Sequence, residues 1–320
     1  MTPATRRALA LGLRAVAAIA CLVLVARLLG SERLLQQLRT VEPGWFLAAI
    51  AVSALAQFTS ALRWASIARA LGLVAPRRPL VVAYAQGVAA NALLPGATLG
   101  GDALRSIRLQ RLGNPAARSA LSVLIDRASG LWVLCALSAL ALALWMATAD
   151  SSAARLSSSL GAAWVGPYAL GLLVVLVGPW LPWRPHPASG SRLDRVHDLL
   201  VRIHGIVTTA RRSLLMSLPA SIAVQALSAA ALWLCARAIG VSTSYAAVLA
   251  IAAPLFVAAA LPVSIGGFGP REAVALLVFP LIGVPPVVGV AAAALLGVAA
   301  LLLGLAFSPL LLWTLAHERR

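Results

Sequence analysis

The chain has 320 residues, is 61% hydrophobic and only 11% charged, and has a mean hydropathy of +0.94. Soluble globular domains carry about a quarter charged residues, so a soluble fold is excluded. The formal charge of +17 contains no lysine; its arginines gather at the ends of apolar runs (Arg6, Arg7; Arg77, Arg78; Arg211, Arg212; Arg319, Arg320), a positive-inside pattern that excludes a nucleic-acid footprint as the simpler account.

The apolar runs approach the roughly 20 residues that cross a bilayer, and short alternating β-barrel segments do not occur. The expectation is an all-α, polytopic membrane bundle with about 7–9 hydrophobic segments, formed by one transmembrane domain over residues 1–320. Segment one, about 8–29, reads as an uncleaved anchor, being longer than a signal-peptide core. Segment two, about 45–70, carries Arg63 and Trp64 deep inside; Arg63 either snorkels to the cytoplasmic face or serves an intramembrane site. Segment three, about 79–95, is short and breaks at Pro95. Segment four, about 117–147, holds the adjacent pair Asp126 and Arg127, and segment five covers about 162–181.

Next comes a polar stretch in which Leu193, Val196, Leu200, Ile203 and Val207 recur at helical spacing. This predicts a cytoplasmic amphipathic helix over 193–213 within the single domain. Segments six and seven cover about 214–239 and 245–261. A short apolar piece follows (273–284), then "VPP", then a final run over about 287–316. Cys21, Cys135 and Cys235 lie in apolar runs and are expected to be free buried thiols. The four histidines, His186, His197, His204 and His317, lack metal-ligand spacing, so no metal or other cofactor is expected.

Charge bias constrains the topology. With the N-terminus and Arg77–Arg78 inside, a full crossing by 79–95 would export Arg105, Arg108, Arg111 and Arg118. A re-entrant hairpin keeps them inside. The count becomes seven or eight crossings plus one or two broken or re-entrant helices, with non-helical backbone covered by protein or facing a cavity.

Two glycine-rich breaks share a plan. "LPGATLGGDALR" (94–105) and "LPVSIGGFGPRE" (261–272) both run Leu-Pro, small residues, Gly-Gly, then an acid and an arginine. Paired interruptions of this kind point to a transporter's binding site. Pro95 and Pro262 end the incoming helices. Gly100, Gly101, Gly266, Gly267 and Gly269 permit positive φ and leave backbone N–H groups uncovered, and Ser264 adds a hydroxyl. Asp102 reads as an N-cap before Ala103, and Pro270 as a first helical residue. Arg105 and Arg271 then fall in first turns, where helix N-termini and guanidinium groups together suit a phosphate.

Asp102 and Glu272 either hold those arginines or meet a cationic part of a ligand. Asn91 either caps freed backbone or touches ligand. Asp126 and Arg127 point about 100° apart on a helix, so they should contact different groups; an intramembrane site and a structural ion pair are both open.

"LLPGATLGGDALRSIRL", "SVLIDRASGLW" and "LPVSIGGFGPREA", in that order, resemble the lysylphosphatidylglycerol synthase/flippase transmembrane family, over roughly residues 8–315. The resemblance implies a flippase-like bundle that moves aminoacylated or other anionic lipids between leaflets. By position, it implies that Asp102, Arg105, Arg127, Arg271 and Glu272 form the polar lining. The aspartate before Arg127 departs from the glutamate expected of the family. Multidomain relatives add a cytosolic transferase; the chain ends at "LAHERR", so that enzyme activity is expected to be absent.

The leading expectation is therefore a lipid translocase in a bacterial-type inner membrane. Its partners would be membrane lipids with anionic head groups, not nucleic acid, with room for a homo-oligomer or a lipid-synthesis partner. The rivals are a membrane enzyme acting on a polyprenyl or lipid phosphate, and a non-transporting accessory subunit.

Overall fold

A computed structural model describes residues 31–93, 98–148, 161–177, 211–261 and 268–317, with isolated positions 181, 201 and 205. Segment one, Cys21 and the amphipathic stretch before residue 211 lie outside the described residues. The described chain is helical, with no strand. In chain order it runs α1 (Ser31–Arg39), α2 (Pro43–Ala70), α3 (Arg77–Leu93), α4 (Thr98–Gln110), α5 (Ala116–Thr148) and α6 (Gly161–Val177). It continues with α7 (Arg211–Ala238), α8 (Tyr245–Ala250), α9 (Ala252–Ala260), α10 (Pro270–Val278), a 3-10 turn (Phe279–Ile282) and α11 (Pro286–His317). The polar nine-residue α1 was not anticipated, because it has no long apolar run to announce it.

Within α2, α5, α7 and α11, the stretches Pro43–Ala70, Ala116–Trp145, Leu215–Ala238 and Pro286–Leu312 are long and apolar enough to cross a membrane. The most extensive packing among the described helices is between α2 and α7. Ala49 on α2 and Ala231, Cys235 and Ala238 on α7 are fully or nearly fully buried there. Small side chains let helix backbones approach where lipid provides no hydrophobic drive. Cys135 and Cys235 are free and buried.

Two pairs of shorter helices stand among the rest, α3 with α4 and α8 with α9. α3 and α4 pack as an antiparallel hairpin: Arg108 Nε donates to Gln86 Oε1 (3.1 Å), and nearer the bend the Gly101 N–H donates to Asn91 Oδ1 (2.9 Å). Seventeen residues in α3 make about 26 Å of helix, short of the roughly 30 Å hydrocarbon core, so a chain that turns back suits its length.

Segment seven is not one helix. It breaks at Ile251 into α8 and α9, and side chains from neighbours mend the break. Ser138 Oγ donates to Leu249 C=O (2.8 Å) and accepts from Ala253 N–H (3.2 Å), standing between the two ends of a lost helical hydrogen bond. Pro254 has no N–H to offer Ala250 four residues back, and Tyr168 Oη donates to that carbonyl instead (2.7 Å). Pro309 in α11 likewise strands the Leu305 carbonyl, which accepts from Ser308 Oγ (2.7 Å). Broken helices survive at membrane depth only when the freed backbone groups are met in this way.

Ser138→Ala strands both Leu249 C=O and Ala253 N–H. The expected loss is about 1–3 kcal/mol of stability, read from thermal unfolding in detergent. An unchanged unfolding midpoint would show that the hydroxyl does not hold the break.

Candidate functional site

The helices α2, α3, α4, α5, α7, α9, α10 and α11 surround a cavity of about 590 Å³. Its walls are largely apolar, and its charged lining consists of Arg63, Arg105, Asp126, Arg127 and Arg271. The arginines of both glycine-rich stretches therefore face one space.

The centre of the polar cluster is Asp126 on α5, 1% exposed. It accepts from Arg63 Nε (2.9 Å) at Oδ1 and from Arg105 Nη2 (2.7 Å) at Oδ2, and its backbone carbonyl accepts from Arg63 Nη2 (3.1 Å). Arg63 is buried, so it does not snorkel; a carboxylate inside the bundle outweighs the pull of the interface. Trp64 Nε1 donates to Ser122 Oγ (3.2 Å), which fixes the indole beside it. The Arg105 guanidinium is 4.4 Å from the ring centroids of both Trp64 and Tyr84, so two aromatic faces hold it. Such cation–π contacts strengthen when desolvated.

Asp102 sits one layer out. It accepts from Arg127 Nε (2.9 Å) and Nη2 (3.0 Å) in a bidentate pair, and more distantly from Arg105 Nη1 (3.4 Å). The Arg127 side chain is 42% exposed, the most open of the cluster. Asp126 and Arg127 thus contact different partners, as their angular separation on the helix requires. On α10, Glu272 Oε1 accepts from Arg271 Nη2 (2.7 Å) and Nε (3.2 Å), while Oε2 accepts from the Gly269 N–H (2.6 Å). Gly269 has φ of +100°, a conformation that side chains rarely adopt.

Close approach also shapes the site. A Cβ on Gly297 of α11 would collide with Arg271 Nη2 and the Phe268 ring, so glycine makes the berth for this guanidinium. A Cβ on Gly101 would strike Gly87 C=O and Asn91, which sets the tightness of the α3–α4 hairpin.

Two expectations for the first break are corrected. Helix α4 begins at Thr98, so Asp102 lies inside it and is no N-cap. Arg105 is accordingly in the helix interior, not the first turn. The cause is that Gly100 and Gly101 both join the helix, with Gly101 pressed onto α3, where Asn91 satisfies its N–H; that donor is covered, not offered to a ligand. The second break follows its expected plan: Pro270 opens α10 and Arg271 is in its first turn. The two stretches therefore present their arginines differently. Pro95, Pro262, Ser264, Gly266 and Gly267 lie outside the described residues.

The site also contains groups the motif reading passed over: Tyr84, Gln225, and a polar row on α2 made of Ser53, Gln57 and Ser60. That row was present in the sequence as polar residues at positions i, i+4 and i+7 of an apolar segment.

The described cluster holds four guanidinium groups (Arg63, Arg105, Arg127, Arg271) against three carboxylates (Asp102, Asp126, Glu272), a surplus of one positive charge. Arg63 Nη1 and Arg105 Nε are buried and make no hydrogen bond. Buried donors without partners are rare and costly, and each calls for an explanation.

Asp126→Asn removes the charge that compensates both buried arginines. Breaking a buried pair this way costs about 3–5 kcal/mol, expected as a large drop in detergent thermal stability. A drop under about 1 kcal/mol, the scale of an exposed pair, would mean that water already screens Arg63 and Arg105.

Comparison with known proteins adds the following. A family model described as the lysylphosphatidylglycerol synthase TM region matches residues 9–308, which include every residue of the cavity. No curated protein matches the chain.

Proposed function

The chain belongs to the lysylphosphatidylglycerol synthase transmembrane family, and from that premise we propose that it carries an anionic lipid between the leaflets of a bacterial-type inner membrane. The observation that carries the reading is the surplus guanidinium charge facing one intramembrane cavity, with buried N–H groups of Arg63 and Arg105 left over. A lipid phosphate supplies the missing negative charge, and arginine's planar fork suits its oxygens.

The head group would cross through the cavity while the acyl chains stay in hydrocarbon. Membrane-crossing helices that flank the cavity support this, because lipid tails can pass along exposed apolar side chains such as Val298, Leu302 and Leu305 of α11. Arg271 sits in the first turn of α10, where free N–H groups favour an anion.

Carriage is favoured over catalysis by the state of the carboxylates. Asp102, Asp126 and Glu272 each already accept from arginine. A general base or metal ligand would have to give up those partners. We read the chain as a carrier, not an enzyme.

Reconstitution in liposomes with a labelled anionic phospholipid tests the assignment. Arg271→Ala removes a charged hydrogen-bond donor of about 1.5–3 kcal/mol, so leaflet exchange should slow at least about tenfold. Exchange at the wild-type rate would overturn the role given to Arg271.

A further inference from the structure

Ser53, Gln57 and Ser60 line the cavity from one face of α2, and Arg63 continues that face one turn further. Elsewhere in the spanning helices most hydroxyls donate to a backbone carbonyl, with Ser221 an exception: Thr59 Oγ1 donates to Leu55 C=O (2.8 Å), Ser66 Oγ to Arg63 C=O (2.8 Å) and Ser228 Oγ to Val224 C=O (2.8 Å). Ser53, Gln57 and Ser60 do otherwise. Among the described residues none of the three makes a hydrogen bond, and the Ser53 hydroxyl is fully shielded as well. Across the cavity, Gln225 donates Nε2 to Gly130 C=O (3.0 Å), which leaves its amide oxygen available. Polar side chains kept unpaired in an apolar helix carry a desolvation cost that alanine or leucine would avoid.

The arginine end differs in kind. It has surplus positive charge, and every one of its carboxylates is already engaged by guanidinium. An ammonium group offers only donors and adds positive charge where cations are already in surplus, whereas a hydroxyl is neutral and both donates and accepts, as serine and glutamine side chains do. The cavity thus has cations at one end, neutral donors and acceptors along one wall, and no uncommitted carboxylate among the described residues.

We infer that the lipid taken here is a phosphodiester with an uncharged, hydroxyl-bearing head group, such as glycerol or a sugar, in preference to one bearing an amine. The inference rests on the carrier reading above and deepens it. The phosphate sits at the arginine end and the head-group hydroxyls lie along Gln57 and Ser60, the two members of the row whose polar atoms are not shielded. That pair rises about 4.5 Å along the helix, enough for the hydroxyls of a glycerol or of one face of a sugar.

Two measurements on the full chain test this separately from carriage. In liposomes, labelled phosphatidylglycerol, phosphatidylethanolamine and lysyl-phosphatidylglycerol are compared for leaflet exchange; in detergent, the same lipids are compared for binding by native mass spectrometry. Phosphatidylglycerol should exceed both amine-bearing lipids by about tenfold or more in each assay, as loss of one or two hydrogen bonds implies. The triple variant Ser53→Ala, Gln57→Leu, Ser60→Ala removes groups without protein partners and should fold as before, with phosphatidylglycerol falling toward the level of phosphatidylethanolamine.

Equal or better binding of the amine-bearing lipids, or a triple variant with unchanged preference, overturns the inference even if lipids cross. Selective binding with no lipid crossing leaves the head-group inference standing and removes the carrier reading.

Discussion

Asp126 accepts a hydrogen bond from an arginine on each side, Arg63 of α2 and Arg105 of α4, and so joins three helices through one carboxylate. The arrangement of the cavity depends on it. Without that charge, two guanidinium groups would lie in a largely apolar wall with nothing to balance them. With it, α4 is drawn toward α2 and α5, Arg105 slides between Trp64 and Tyr84, and the hairpin formed by α3 and α4 acquires a fixed seat. The energetic worth of a buried ion cluster is small against an apolar replacement. Its value is positional, because the four arginines are held around a space that hydrophobic packing alone would have filled.

The class of the fold was legible because hydropathy dominates: apolar runs of bilayer length admit few structures, and α2, α5, α7 and α11 fall close to the expected segments. The polar positions were legible for a related reason. A charged group in such a run is expensive, so Asp126, Arg127, Arg271 and Glu272 marked themselves. What could not be read was where Asp102 stands in its helix. Glycine pairs look alike in sequence whether they interrupt a helix or let it press on a neighbour; only the fit of Gly101 against Gly87 and Asn91 decides. Arg63 was ambiguous because a snorkelling arginine and a paired one differ by a partner sixty-three residues away. The break at Ile251 was hidden because Ser138 and Tyr168, which mend it, lie in other segments.

Polar groups in this bundle therefore divide by purpose. Ser138, Tyr168, Ser308 and Asn91 repair backbone where proline or glycine opens it. Asp102, Asp126 and Glu272 hold arginines. The α2 row does neither, which sets it apart in a molecule where nearly every other described hydroxyl on a spanning helix has a backbone partner.

The cationic wall is made entirely of arginine, and Arg105 lies between two rings that a compact ammonium would fill poorly. Arginine keeps its proton at every pH a cell meets. The positive side of this chamber is four copies of one planar, delocalised cation. An electrical potential across the membrane is a force that such fixed guanidinium charges feel directly.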